Sequence, residues 1–175
     1  MTISPDTKDW TWALTQACPD CGYDPTKVTK GDIAGLVRAY TRPWPARLNE
    51  DDATRRPDPG TWSPTEYAAH VRDVCLLFAE RLALMLTEDR PTFANWDQDA
   101  TAIESDYANA DPGVVAGEIL GASEALTSGY ADVLDSQWER EGLRSNGSEF
   151  TVYTLGVYAL HDLAHHLADV GVSPR

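Results

Sequence analysis

The chain has 175 residues, enough for one domain with a substantial core. Its 14 Lys and Arg stand against 28 Asp and Glu, and the resulting net charge of -14 repels phosphate backbones and anionic headgroups, so nucleic-acid and membrane partners are disfavoured. Hydrophobic residues make up 42%, but no apolar run approaches the ~20 residues of a membrane span.

The opening Met1-Thr2-Ile3-Ser4-Pro5-Asp6 has neither the basic nor the apolar region of a secretory signal, so a cytoplasmic protein is expected. Three cysteines do not make a fully paired disulfide framework, which fits a reducing compartment. A small-molecule substrate is the expected partner, with a homodimer left open.

Residues 1–28 hold Pro5, Pro19 and Pro25 and no sustained period, and read as an irregular lead-in around a short helix. Residues 29–175 read as the main domain. Ile33, Leu36, Val37 and Tyr40 recur at helical spacing behind Asp32, a candidate N-cap, until Pro43 and Pro45 interrupt. Residues 49–62 form a polar loop ending in Pro57-Asp58-Pro59-Gly60.

The second helix has the clearest start. Ser63 caps, Pro64 takes the first helical position, and Glu66 closes a capping box. Tyr67, His70, Val71, Val74, Leu77, Phe78 and Leu82 then run down one face to about Leu86. The connection over residues 87–110 is long for a compact domain, and would let the second and third helices run parallel.

Asp111-Pro112 repeats the cap-then-proline signal. A third helix follows through Val115, Ile119, Ala122, Leu126, Tyr130, Val133 and Leu134, ending near Arg140. Residues 142–148 read as a turn, and a fourth helix spans about 150–170 before Gly171. No alternation marks a strand. The expected fold is all-α, a four-helix bundle.

Three of the four histidines stand in His161-Asp162-Leu163-Ala164-His165-His166. Positions i and i+4 lie about 40° apart around a helix, so His161 and His165 share a stripe with Val157, Ala164 and Ala168. That stripe reads as inward. His166 turns away with Asp162 and Asp169 on a polar face, while His70 sits on the apolar face of the second helix. A single histidine on an apolar face is ordinarily a core residue bonded to a carbonyl or hydroxyl. Three crowded imidazoles need partners for their ring nitrogens and repel when protonated, and a divalent transition metal such as zinc, nickel or iron resolves both problems.

Trp62-Ser63-Pro64-Thr65-Glu66-Tyr67-Ala68-Ala69-His70 together with Leu160-His161-Asp162-Leu163-Ala164-His165-His166-Leu167 resembles the DinB/YfiT-like superfamily over residues 32–170. That superfamily includes the metal-binding domain of mycothiol-dependent maleylpyruvate isomerase and bacterial thiol S-transferases. The resemblance implies a bundle with an up-down-down-up path and His70, His161 and His165 as metal ligands. Three neutral ligands leave open positions, as in catalytic sites. Asp73 and Asp162 read first as exposed carboxylates, with the orienting of a ligand histidine as the alternative. Trp96-Asp97 could cover the metal or merely pack. No catalytic residue is singled out.

Cys18-Pro19-Asp20-Cys21-Gly22 looks like half of a zinc knuckle, whose completion would call on His166 or a carboxylate. The preferred reading is a compact turn with reduced, ordinary thiols. Cys75 reads as a small core residue. Trp10-Thr11-Trp12 followed by this Cys-Pro-x-Cys-Gly resembles an actinobacterial subgroup of the superfamily.

The resemblance implies a metal-dependent thiol S-transferase or isomerase, with mycothiol or bacillithiol as co-substrate and a small electrophile in the mouth of the bundle. A metal-dependent hydrolase, with Asp97 or Glu104 as general base, is the second expectation. A non-catalytic metal- or small-molecule-binding stress protein is the third.

Overall fold

The computed structural model describes Ile3 and residues 9–174, so Met1–Asp6, where no secretory signal was read, lies outside the described residues apart from Ile3. Four helices form the bundle: α1 (Ile33–Thr41), α3 (Pro64–Thr87), α5 (Pro112–Ala131) and α6 (Val152–Asp169). Two short helices, α2 (Trp44–Arg47) and α4 (Gln98–Glu104), lie in the connections. Helix α3 packs on α5 and α6, and α1 packs on the same two. The core between them is filled by large side chains without access to solvent, among them Trp44, Leu82, Leu126, Leu155, Leu160 and Leu163. The four-helix bundle expected from the sequence is the architecture observed. No helix among the described residues is long and apolar enough to cross a membrane.

The capping signals act as their chemistry dictates. Glu66 N–H donates to Ser63 Oγ at 3.3 Å, and Ser63 N–H donates to Glu66 Oε2 at 2.8 Å. Arg56 pairs with the same carboxylate, which is buried. Asp111 accepts from Val114 N–H at 2.9 Å and starts α5. Asp32, expected to cap α1 directly, instead accepts from Thr29 N–H at 2.8 Å and closes the turn before the helix.

Two expectations are corrected. Helix α5 ends at Ala131, well short of Arg140: Leu134 is 63% exposed, and residues 132–140 turn through a 3-10 segment at Asp135–Gln137. A small sheet also exists. Strand β1 (Thr92–Phe93) pairs in parallel with β2 (Glu141–Arg144), which pairs antiparallel with β3 (Glu149–Thr151). The stretch read only as a turn is therefore a hairpin leading directly into α6.

The long connection between α3 and α5 carries β1, α4 and a 3-10 turn at Tyr107–Asn109. Tyr107 is buried, and its hydroxyl donates to Asp73. The N-terminal segment, irregular apart from 3-10 helices at Thr11–Leu14 and Pro25–Lys27, contributes Ala13, Cys18, Tyr23 and Val28 to the buried interior. Tyr23 Oη anchors it to α6 by donating to the Val157 carbonyl at 2.9 Å.

Candidate metal centre

The last turns of α6 divide their polar side chains between two neighbours. Asp162 and His166 face α3, where His70 meets them. His161 and His165 face the N-terminal segment, where Cys18 and Cys21 meet them. In each group, one donor atom from every residue lies within 4.8 Å of the others. The three histidines expected to act together are thus not brought together: His70 joins Asp162 and His166, while His161 and His165 join the two cysteines. The phase reading that set His161 and His165 on one stripe and His166 with Asp162 and Asp169 on another matches the observed faces. What differs is which stripe looks at α3.

In the first group, Asp162 Oδ1 lies 3.4 Å from His70 Nε2 and 3.3 Å from His166 Nε2. Two nitrogen or oxygen ligands about 2.05 Å from a tetrahedral ion stand about 3.3 Å apart, so these spacings suit a shared ion. Among the described residues, both ring nitrogens of His70 and Oδ1 of Asp162 are buried without a hydrogen-bond partner. Such groups are costly to bury unless something satisfies them. The residues fit a divalent metal.

The surroundings prepare the ligands. His166 Nδ1 lies 2.9 Å from Asp169 Oδ2, which leaves Nε2 turned toward Asp162 and His70. Trp96 stacks on His70, ring centres 5.1 Å apart and planes 9° from parallel, so this loop tryptophan does cover the site. Burial lowers the pKa of His70, keeping its imidazole neutral and able to ligate. Burial acts the same way on His166, but Asp162 and Asp169 outweigh it and hold its pKa up at about 9. Burial pushes Asp162 upward, yet its contacts with His166 and His70 keep its carboxyl far below the usual range. The exposed-carboxylate reading of Asp162 is therefore corrected. Asp73 is engaged elsewhere, accepting from Arg72 Nε at 2.7 Å and from Tyr107 Oη.

A cavity of about 360 Å³ opens beside these groups, lined by His161, Asp162, His165, His166 and by aromatic rings including Trp62 and Trp96. Arg81 and Arg144 also line it. Neither has a carboxylate partner among the described ion pairs. Arg81 Nη2 donates to the Ala94 carbonyl at 2.9 Å, its Nε is buried without a partner, and burial together with Arg144 brings its pKa down to about 10. Arg144 donates to Asn146 Oδ1 and Ser148 Oγ at 2.9 and 3.0 Å. In a chain of net charge -14, two unpaired guanidiniums in one cavity make a local seat for an anion.

The expected bases are not placed for catalysis. Asp97 caps α4 by accepting from Ala100 N–H at 2.9 Å, and Glu104 is exposed at its end. Cys75 is buried in α3, as a small core residue.

Residues 35–170 match the DinB superfamily. The chain belongs to that superfamily. Among its relatives, a protein of Oceanobacillus iheyensis named as a proposed metal-dependent hydrolase is 25% identical over 127 residues, 72% of each chain. YfiT of Bacillus subtilis, described as a proposed metal-dependent hydrolase with an unusual four-helix bundle topology, superimposes with a TM-score of 0.68 at 20% identity, covering 89% of this chain and 95% of YfiT. The mycothiol-dependent maleylpyruvate isomerase superimposes with a TM-score of 0.67 at 14% identity, covering 84% of this DinB-superfamily chain and 62% of the isomerase. These two superpositions establish a shared fold.

Sequence reasoning placed Asp162, His166 and Asp169 on a polar face without assigning them to a site with His70, and it passed over Arg81 and Arg144. The first three did carry a signal. Asp162-x-x-x-His166 has the same i,i+4 spacing as His161-x-x-x-His165, displaced by one residue, and Asp169 follows one turn after His166.

Proposed function

We propose that this DinB-superfamily protein is a metal-dependent enzyme in which His70, Asp162 and His166 hold one divalent transition metal, and that it transfers a low-molecular-weight thiol to a small anionic electrophile. The observation that carries this reading is the convergence of His70, Asp162 and His166 beside a cavity, with both ring nitrogens of His70 and Oδ1 of Asp162 buried without a hydrogen-bond partner among the described residues. Two imidazoles, of which His166 would release its proton on ligation, and one carboxylate leave coordination positions open. A divalent ion there supplies Lewis acidity, which lowers the pKa of a bound nucleophile.

The chain's own residues do the rest. Asp169 fixes the tautomer and direction of His166, and the Trp96 ring holds His70 in plane. Arg81 and Arg144 orient the anionic end of the electrophile, while Trp62 and Trp96 exclude water. A thiol, with an ordinary pKa of about 8.5, needs less help to ionise than water does. Asp97 is engaged in capping α4 and Glu104 is exposed at the end of that helix, which favours that nucleophile. Hydrolysis is the second reading, supported by the name of the Oceanobacillus relative and by Asp20 and Asp99, carboxylates that line the same cavity.

The test is to load purified protein with zinc, nickel or iron and follow consumption of mycothiol, bacillithiol or glutathione with small carboxylate-bearing electrophiles, beside ester and amide hydrolysis. Thiol consumption lost in a folded His70→Ala variant is the expected result. Metal-dependent hydrolysis without thiol consumption would replace this reading with the second. Tight metal with neither activity would leave a metal-holding protein.

A further inference from the structure

A second set of metal-ligating side chains joins the N-terminal segment to α6. We propose that Cys18, Cys21, His161 and His165 form a closed, tetrahedral structural zinc site, which fastens residues 9–28 to the bundle and builds one wall of the cavity.

Geometry carries the assignment. The four donor atoms lie within 4.8 Å of one another. Cys18 Sγ stands 3.6 Å from His165 Nδ1. A thiolate at about 2.3 Å and an imidazole nitrogen at about 2.05 Å from a tetrahedral ion stand about 3.6 Å apart. The second observation is independent: His161 is only 4% exposed, and its Nε2 has no hydrogen-bond partner among the described residues. An imidazole buried that deeply and left unpaired is accounted for by an ion beside it.

The local backbone is built for the purpose. Gly22 N–H donates to the Cys18 carbonyl at 2.9 Å and Cys18 N–H donates to the Tyr23 carbonyl at 2.8 Å, closing a tight turn. Gly22 adopts φ +76°, a conformation that a residue with a side chain takes only under strain. The turn gathers both sulfurs toward α6, and the rings of Trp10, Trp12 and Tyr23 lie 5.0–6.0 Å from those of His161 or His165.

Charge and ligand count fix the class of site. Two thiolates neutralise a divalent ion, which suits a buried position. Four protein ligands leave no place for substrate, so the role is structural. Sulfur ligands favour zinc here, against the harder set of two imidazoles and a carboxylate next door. On binding, each thiol releases one proton to solvent, and nothing is oxidised or reduced. This inference does not depend on the proposed chemistry at His70, Asp162 and His166.

The test is X-ray absorption and elemental analysis of the zinc-loaded full-length chain, with cobalt substitution. Expected are two ions per chain, one with sulfur at about 2.3 Å, and a thiolate-to-cobalt charge-transfer band. A Cys18→Ser, Cys21→Ser double variant should lose that band and one ion, while His70→Ala loses the other ion and keeps the band. Should the double variant not fold, alkylation of the intact protein decides: Cys18 and Cys21 react only after chelation under the proposal. A shell without sulfur, or thiols that react equally fast before and after chelation, would overturn it whether or not the neighbouring site is active.

Discussion

His166→Ala is the sharpest perturbation of the proposed catalytic site. Structural zinc sites with four ligands bind with about 10–16 kcal/mol, so one ligand accounts for about 3 kcal/mol, or about two orders of magnitude in affinity. His166 is also tied at 2.9 Å to Asp169, whose other oxygen lies 4.0 Å from His165 Nε2, and Asp169→Asn, which leaves every ligand of this ion in place, should weaken it by about 10–100-fold. His165→Ala should leave this ion in place, because His165 lies with Cys18 and Cys21. Cobalt titration against a competing chelator separates the two sites, since only an ion bound by sulfur shows the thiolate band. The expectation is that His166→Ala removes the sulfur-free component by about 100-fold or more while the thiolate band persists. Loss of the sulfur-free component in His161→Ala and His165→Ala, with His166→Ala unaffected, would refute the grouping and restore His70, His161 and His165 as one ligand set.

Arg81→Met should weaken protection against unfolding by small dicarboxylates about tenfold if Arg81 and Arg144 seat an anion, and unchanged protection would remove the anionic substrate from the account. Glu66→Gln should cost about 1–3 kcal/mol at pH 7 in urea unfolding, because the buried carboxylate holds Arg56 and the Ser63 amide. Burial works against ionisation of Glu66, but those partners keep its pKa below the ordinary value, so its stabilisation is present above about pH 4.3 and lost as pH falls through the lower folded value. A wild-type-to-variant difference equally large at pH 7 and at about pH 3 would contradict that sign. Gly156→Ala should destabilise by about 1–3 kcal/mol, since an added Cβ would stand 2.9 Å from Ile33 Cδ1 and Tyr130 Cζ. An unchanged denaturation midpoint would show that the α1–α5–α6 contact yields more readily than its packing implies.

The parts of the fold that were legible are those with local chemistry. Ser63, Pro64 and Glu66 announce α3 because each meets a specific need of a helix N-terminus, and Asp111-Pro112 does the same for α5. The small sheet was not legible: two, four and three residues are too few to display alternation, and burial of Phe93 and Phe150 depends on the helices beneath them. The apolar spacing of Val133 and Leu134 continued the α5 pattern past Ala131, yet Leu134 lies in solvent, so periodicity alone misplaced the end.

At the site, α6 carried two interleaved pairs one residue apart. Helical geometry separates those pairs but does not say which neighbour each one faces. That choice is made by packing: α3 takes the Asp162–His166 side, and the N-terminal segment covers the other. The segment read as an irregular lead-in because its order comes from Tyr23, Cys18 and Ala13 against α6 and the core, and not from any period of its own. Arg81 and Arg144, far apart in sequence, were visible only once α3 and the hairpin had brought them to one cavity.

The most direct measurement of the central claim is anomalous diffraction at the absorption edge of the metal in crystals grown with zinc, nickel or iron. The account predicts a peak bounded by His70 Nε2, Asp162 Oδ1 and His166 Nε2, open toward the cavity where Arg81 and Arg144 stand. A peak confined to Cys18, Cys21, His161 and His165, with no density between His70 and Asp162 at saturating metal, would contradict it.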